Sequence, residues 1–282
     1  MVPVLIIVID VYIMALLHQI EKDKPPTAST FIFFLGQSGY ILRTPETILY
    51  IDPYLSNYVQ DPSGLGASEM IRSFPPPIIP EEINTLNGIL CTHAHVDHMD
   101  PWTIMNINAD FMLYTSVGAY EQNPVELPQR QVCFLEPGIT QTINDVFVES
   151  LPAAHYDLHD HLGRPDCLSF VITVHQKIIF LWGDGIIYPG LVDKLQQYSF
   201  DYFFAPINGR DKVREAKGIV GNLKALELAQ LCCDIHIRTV VPNHYDMFKV
   251  NTASVDYFLE CVATHCPGQD VHVLSCGDHL EV

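Results

Sequence analysis

The sequence predicts an α/β fold that is rich in β-sheet. Short runs of β-branched and aromatic residues, each ended by glycine or proline, recur along the whole chain of 282 residues. Helical patterns separate some of these runs, notably residues 221–235 and 252–266, and we expect Thr252 to cap the second helix. No repeat, linker or charge run divides the chain. We therefore predict a single domain over residues 29–282, preceded by a helical extension over residues 1–28.

The expected strands follow one another at short intervals. They are FIFFLG (31–36), ETILYIDP (46–53), NGILCT (87–92), DFMLYTS (110–116), QVCFLEPG (131–138), VFVESLP (146–152), LSFVITV (168–174), KIIFLWGDG (177–185), DYFFAPING (201–209), RTVVPN (238–243) and VHVLSCGD (271–278). After the third of these, Asp100 and Pro101 have the residue types of an N-cap and a first helical position. A helix is therefore expected to begin at PWTIMNI.

Composition excludes some classes of partner. The chain carries 33 acidic and 15 basic residues, a formal net charge of −18, whereas binding to duplex nucleic acid relies on clusters of lysine and arginine. The hydrophobic fraction of 48% is enough for a sizeable core. The eight cysteines form no CxxC pair and lie in apolar runs, which is typical of buried, reduced thiols. We therefore expect a cytoplasmic protein.

The N-terminal run MVPVLIIVIDVYIMALL has about the length of a signal-peptide core. It contains Asp10, lacks a basic segment before it and is shorter than the roughly 20 apolar residues of a membrane-spanning helix. We expect neither export nor membrane insertion. The run is interpreted as a helix that docks on the domain, or as a segment that precedes a true start at Met14.

The segment THAHVDHMD, residues 92–100, is the strongest chemical signal in the chain. It places three histidines and one aspartate within six positions: His93, His95, Asp97 and His98. Side chains at i and i+2 of an extended backbone project to one side, so His93 and His95 can share one metal ion. Asp97 and His98 can face a second ion.

Further candidate ligands end three other predicted strands. His155 follows VFVESLP, Asp184 ends KIIFLWGD, and His244 follows RTVVPN. Because the C-terminal ends of sheet strands can converge on one cleft, these side chains are expected to join the histidine cluster. His159 and His161 compete with His155, but they lie in a polar loop and are interpreted as residues of the cleft.

These motifs resemble the metallo-β-lactamase superfamily, whose fold is a four-layer αββα sandwich with a metal site at one edge of its sheets. Within it the chain is most similar to the L-ascorbate-6-phosphate lactonase-like group, through FFLGQSGYILRT, LYIDPYLSN, PPPIIPEEI, APINGRDKVREAKGIVGN and PNHYDMFKVN. The resemblance implies two metal ions that are bridged by Asp184. The ligands of the first would be His93, His95 and His155, and those of the second Asp97, His98 and His244.

Histidine and carboxylate ligands without a thiolate suit zinc, manganese or iron, and the resemblance favours manganese. Two such ions lower the pKa of a bridging water and so supply a hydroxide nucleophile. We expect Asp97 and Asp184 to be the catalytic carboxylates, with Asp97 taking the proton as the tetrahedral intermediate collapses. Asp52 and Asp246 are expected to orient the metal ligands.

A local cluster of positive charge points to an anionic substrate. Five basic residues lie within 15 positions: Arg210, Lys212, Arg214, Lys217 and Lys224. Guanidinium groups match phosphate and carboxylate geometry, so Arg210 and Arg214, with Asn208 nearby, are expected to bind a small anion. The resemblance then implies a lactonase that opens a phosphorylated or acidic sugar lactone of the L-ascorbate 6-phosphate type. It also implies a homo-oligomer.

Three other functions remain open. The same core suits a phosphodiesterase or another ester hydrolase, and it suits a di-iron oxidoreductase, although His95 stands where such reductases carry an acidic residue. A catalytically silent metal-binding module is disfavoured because every expected ligand is present. A β-lactamase proper is disfavoured because the second metal would have no cysteine ligand. RNA processing conflicts with the acidic composition.

Overall fold

The computed structural model describes residues 15–127, 131–155 and 157–282, which form two seven-stranded β-sheets packed face to face. Helices cover the outer face of each sheet. The order helix, sheet, sheet, helix confirms the predicted αββα sandwich. Residues 1–14, including most of the apolar N-terminal run, lie outside the described residues.

The first sheet has the order β14-β1-β2-β3-β4-β5-β6. Its strands are β1 (Phe31–Gly36), β2 (Gly39–Arg43), β3 (Ile48–Ile51), β4 (Gly88–Leu90), β5 (Met112–Thr115), β6 (Val132–Phe134) and β14 (His279–Glu281). Strands β3 to β6 run parallel, whereas β14, β1, β2 and β3 pair antiparallel.

The second sheet has the order β13-β12-β11-β10-β9-β8-β7. Its strands are β7 (Thr140–Ile143), β8 (Val146–Pro152), β9 (Leu168–Val174), β10 (Lys177–Leu181), β11 (Ser199–Pro206), β12 (His236–Asn243) and β13 (Asp270–Val271). Strands β10 to β13 run parallel, and β7 to β10 pair antiparallel, so that β8 points the same way as β10.

Helices pack on both outer faces. The described residues contain α1 (15–22, whose start is not described), α2 (Pro101–Asn106), α3 (Val117–Gln122), α4 (Leu191–Leu195), α5 (Lys212–Glu215), α6 (Ala225–Asp234), α7 (Val255–His265) and the 3-10 turn Pro80–Glu82. None of the helices found in residues 15–127, 131–155 and 157–282 is long and apolar enough to span a bilayer.

Three large apolar clusters hold the layers together. Side chains such as Phe34, Leu49, Phe170 and Leu181 fill the space between the sheets. A second cluster joins α4, α6 and α7 to the outer face of the second sheet, and a third joins α1 and α2 to the first sheet. Arg43 ties α1 to the first sheet through a 2.9 Å hydrogen bond from Nε to the carbonyl of Ile20.

Helix and strand ends differ from the sequence-based expectations in a few places. Asp100 caps α2 as predicted, and its side chain accepts a hydrogen bond from the N–H of Trp102. The cap of α7 is Ser254, not Thr252, because the Ser254 hydroxyl reaches the N–H of Tyr257. The predicted strand 271–278 is wrong beyond Val271, since the chain turns there before β14.

Candidate metal centre

Four side chains from both sheets form the first group of candidate ligands. His93 and His95 follow β4, His155 follows β8, and Asp184 follows β10; one ligand atom of each lies within 4.8 Å of the others. Nε2 of His155 is 3.2 Å from Nδ1 of His95 and 3.4 Å from Oδ2 of Asp184. Nε2 of His93 is 3.9 Å from the same carboxylate oxygen.

A second group of three side chains lies directly beside the first. Asp97 and His98 come from the loop after β4, His244 follows β12, and their ligand atoms also lie within 4.8 Å of one another. Oδ2 of Asp97 is 3.9 Å from Nε2 of His98 and 3.7 Å from Nε2 of His244. The structure thus brings together all seven side chains that the sequence nominates as ligands.

Asp184 lies between the two groups and presents one carboxylate oxygen to each. Oδ2 faces His155 and His93, whereas Oδ1 is 3.3 Å from Nε2 of His98 and 3.3 Å from Nε2 of His244. This is the position that the sequence-based hypothesis gives to a bridging carboxylate. His159 and His161 are exposed and contribute to neither group.

Several ligand atoms are buried without a hydrogen-bond partner among the described residues. They are Nε2 of His93, Nε2 of His98 and Oδ1 of Asp184. A buried polar atom without a partner costs about 1–3 kcal/mol, so several in one place are stable only if a ligand satisfies them. Imidazole nitrogens and carboxylate oxygens suit zinc, manganese and iron. The residues therefore fit a divalent metal centre.

Two of the histidines offset the negative charge of the buried carboxylates, and two others are neutral. Burial lowers the pKa of His155 to about 4 and lowers the pKa of His93 well below its usual value, so both imidazoles are neutral and ready to bind metal. Burial also opposes charge on His98 and His244, but the nearby carboxylates of Asp184 and Asp97 outweigh it and raise both pKa values. Without metal, these two histidines neutralise the acidic groups.

The carboxylate of Asp52 organises the loop that carries the histidines. Asp52 follows β3, and its Oδ2 lies 2.8 Å from Nδ1 of His98. The same oxygen accepts a 2.6 Å hydrogen bond from the hydroxyl of Thr92, whose oxygen is 3.0 Å from Nδ1 of His93. One carboxylate thus contacts one histidine of each group, directly or through Thr92, as expected for a residue that orients ligands.

Asp246, the other carboxylate expected to orient a ligand, does not reach His244. Its Oδ1 accepts a 3.4 Å hydrogen bond from the N–H of Gln37, and Nδ1 of His244 has no partner in the described part of the chain. Burial raises the pKa of Asp246. Its contact therefore holds the turn after β1 and not the histidine beside it.

Gln37 belongs to the site but received no role from the sequence. Its Nε2 donates a 2.8 Å hydrogen bond to Oδ2 of Asp97 and lies 3.0 Å from Nε2 of His244. Its carbonyl accepts a 2.8 Å hydrogen bond from the N–H of His244. The motif FFLGQSGYILRT contains it, yet nothing in a lone glutamine of a turn predicts contacts with residues far along the chain.

Three non-glycine residues of the site have a left-handed backbone: Gln37 (φ 57°), Asp52 (φ 45°) and His244 (φ 57°). Such conformations are uncommon for non-glycine residues and cost on the order of 1–3 kcal/mol each. Each of the three lies just after a strand, β1, β3 or β12. The left-handed backbone at these positions places the three side chains among the candidate ligands.

The predicted anion-binding residues are engaged with the protein itself. Arg210 makes two 2.7 Å contacts with the carboxylate of Glu227. Arg214 donates to the carboxylate of Asp211 at 2.6 Å and to the carbonyl of Asn208 at 2.8 Å. Both guanidinium groups already hold acceptors, so their contacts give no support to the expectation that they bind substrate.

The side-chain amide of Asn208 is likewise hydrogen-bonded to other side chains of the protein. Its side chain is buried, with Oδ1 accepting from Asn222 at 3.0 Å and Nδ2 donating to Asn251 at 2.9 Å. Oδ1 of Asn222 in turn accepts a 2.9 Å hydrogen bond from the N–H of Gly185, the residue after Asp184. This chain of amides fixes the turn that carries Asp184.

A pocket of about 740 Å³ opens onto the candidate ligands. Asp97, Asp184 and His244 lie at its floor, and His95 lies at its edge. Its walls come from Val59, residues 65–70, Val96, residues 217–220 and Asn251. Most wall side chains are apolar and include Val59, Leu65, Met70, Val96, Ile219 and Val220; these residues define the apolar pocket.

Comparisons with known proteins agree with this geometry. A family model described as "Beta-lactamase superfamily domain" matches residues 47–245. A UPF0173 metal-dependent hydrolase from Pyrococcus abyssi is 25% identical over 252 residues, covering 88% of this chain and 98% of that protein.

Two solved structures have the same fold. Igni18, a metallo hydrolase from Ignicoccus hospitalis, has a TM-score of 0.64 at 16% identity, with 90% of this chain and 98% of that chain covered. CmlA, a diiron beta-hydroxylase from Streptomyces venezuelae, has a TM-score of 0.64 at 14% identity, with 92% of this chain and 54% of that chain covered. The match of the family model over more than half of the sequence shows that the chain belongs to the metallo-β-lactamase superfamily of metal-dependent hydrolases.

Proposed function

We propose that the protein is a metal-dependent lactonase that cleaves a carboxylic ester bond at the floor of the apolar pocket. The observation that carries this proposal is the position of Asp184, whose two oxygens face two separate groups of histidine and aspartate side chains. The likeness of the sequence to the L-ascorbate-6-phosphate lactonase-like group supports a lactone as substrate.

The proposed ligands are the seven side chains of the two groups, with Asp184 shared between them. Divalent metal ions, when bound there, lower the pKa of water toward neutrality and polarise the oxygen of the scissile bond. Burial keeps His93 and His155 neutral, and Asp52 and Thr92 hold the rings of His98 and His93 in place.

Asp97 is the proposed proton carrier. Its side chain is 15% exposed and lines the apolar pocket, and Gln37 fixes one of its oxygens. Water adds its oxygen to the lactone carbonyl, and its proton passes to the Asp97 carboxylate. When the ring C–O bond breaks, the same proton moves from Asp97 to the leaving alkoxide. The products are a hydroxyl group and a carboxylic acid on one open chain, and the acid then releases the second proton of the water to solvent as it becomes a carboxylate.

The proposal is tested by metal analysis together with a substrate panel. The panel contains simple γ-lactones, L-ascorbate 6-phosphate and bis-p-nitrophenyl phosphate, and each is assayed with the wild-type protein and with Asp97→Ala. We expect metal-dependent lactone opening that Asp97→Ala lowers by at least about a hundredfold. The matched control is Asp193→Ala, which removes a carboxylate in α4, away from the cleft.

Two outcomes contradict the proposal. Turnover of the phosphodiester alone would keep the metal core and replace the lactonase by a phosphodiesterase. Dioxygen consumption with bound iron, without hydrolysis of any panel member, would favour an oxidoreductase, a reaction class that occurs on this fold in the diiron beta-hydroxylase CmlA.

A further inference from the structure

The apolar pocket extends past the candidate ligands, and most of the side chains in its walls are apolar. Val59 is buried, and Met70, Val96 and Ile219 are half-buried around the opening. Leu65 lines the same pocket and is 59% exposed. An exposed leucine beside other apolar side chains gains free energy when a ligand covers it, at roughly 25 cal/mol per Å² of apolar surface removed from water.

The wall formed by residues 59–70 is fixed, so the pocket exists before any ligand binds. Nη1 of Arg72 donates to the carbonyls of Tyr54 at 2.9 Å and of Ser56 at 3.0 Å, and Nε donates to the carbonyl of Phe74 at 3.2 Å. These bonds join both ends of the segment. Beneath it, Tyr54, Val59, Met247 and Phe248 form a separate buried cluster. A preformed wall costs little ordering entropy on binding.

The positively charged side chains at and near the pocket are already paired with carboxylates of the protein. Of the described residues that line it, Lys217 is the one lysine or arginine, and its Nζ lies 2.6 Å from Oε2 of Glu69 on the opposite wall. Arg210 and Arg214 are held by Glu227 and Asp211. The formal net charge of −18 adds a repulsive field for any anion that approaches.

We infer that the substrate is an uncharged lactone or ester with a hydrocarbon chain, which lies along the apolar pocket while its carbonyl reaches Asp97 and Asp184. This inference rests on the proposed function, because it takes the carbonyl chemistry from there. It differs from the sugar-phosphate substrate that the sequence resemblance implies. The ion pair of Glu69 and Lys217 joins the two walls of this pocket.

The test uses the metal-loaded full-length protein and γ-lactones that differ only in their alkyl tail, from γ-butyrolactone to γ-dodecalactone. We expect kcat/KM to rise roughly fourfold for each methylene that enters the pocket, which is the fold-change for a buried methylene group. Ile219→Ser replaces one apolar side chain of the wall by a polar one and is expected to reduce this rise. Val213→Ser is the matched control, since Val213 is 71% exposed in α5 and does not line the pocket.

A second readout separates the failure of this inference from the failure of the proposed function. Lactams with the same tails resist hydrolysis, and calorimetry measures their binding without turnover. Binding that tightens with tail length and is weakened by Ile219→Ser, without lactone opening, would retain the substrate class and reject the lactonase. Lactone opening with no dependence on tail length, or a preference for L-ascorbate 6-phosphate over every alkyl lactone, would overturn the inference.

Discussion

Oδ2 of Asp52 lies 2.8 Å from Nδ1 of His98, although the two residues are 46 positions apart. When the ring is neutral, the contact keeps its proton on Nδ1 and leaves Nε2 without a proton facing Asp184, 3.3 Å away. Because both Asp52 and His98 are almost wholly buried, water cannot replace this partner easily.

Removing the carboxylate that holds His98 is expected to weaken metal binding. Asp52→Ala should lower the metal affinity about 10- to 100-fold, which is the usual effect of losing a residue that orients a ligand. Competition with a chelating dye measures the change. Asp201→Ala serves as control, because Asp201 bonds Lys177 and the N–H of Ile178 outside the site. Equal affinities in the two variants would contradict the role of Asp52.

Gln37 is expected to matter for turnover more than for metal content. Gln37→Met keeps the length of the side chain but removes the 2.8 Å hydrogen bond to Asp97, so the carboxylate loses its fixed orientation. We expect kcat to fall about tenfold with little change in KM, whereas Gln141→Met in β7 should leave both unchanged. Loss of bound metal without a kinetic change in the loaded enzyme would refute this explanation.

Metal affinity is expected to increase with pH, and to continue increasing above the ordinary histidine pKa of about 6.5. Although burial disfavours charge, the carboxylates of Asp184 and Asp97 raise the pKa values of His98 and His244, so these rings retain protons to higher pH when no metal is bound. Metal must displace those protons, and binding strengthens as pH rises through the raised pKa values. His155, with a pKa of about 4, contributes no such change. Calorimetry in buffers of different ionisation enthalpy measures the protons released, and release of none would contradict the prediction.

Because Arg210 is paired with Glu227, we expect its replacement to affect stability and not anion binding. Arg210→Ala should lower the free energy of unfolding by about 1–3 kcal/mol, as expected for lost hydrogen bonds between charged groups. Urea titration measures this, and Arg238→Ala, whose side chain is 70% exposed, should change it by less than about 0.5 kcal/mol. A selective loss of binding for phosphorylated lactones would instead restore the anion-binding role that the sequence suggested.

The ligand positions could be predicted because several ligand-type residues stand in one short motif and the others directly follow predicted strands. His93 and His98 stand within one short motif, and His244 follows a clear strand pattern. Gln37 could not be found in this way, since its contact with His244 joins residues 207 positions apart. Strands β2, β7 and β14 were also missed. The last two are short and carry few apolar residues, which leaves little pattern to read.

The acceptors that hold the predicted anion-binding arginines could not be identified from the sequence for a similar reason. Positive charge is visible in a sequence, but the partner of each charge depends on folding. Arg210 meets Glu227 in α6, seventeen residues later, and the fork geometry that suits a phosphate suits that carboxylate equally. The apolar pocket was missed because its side chains are scattered through two loops that have no periodicity.

Because the ligands follow strands of both sheets, metal binding depends on the two halves of the chain being assembled. The N-terminal half of the chain carries His93, His95, Asp97 and His98, and the rest come from the C-terminal half. Fragments split at the connection between β6 and β7 would each hold an incomplete set. Tight binding of metal should therefore return only on reassociation of the two fragments, so that a metal-sensitive dye would follow their complementation in real time.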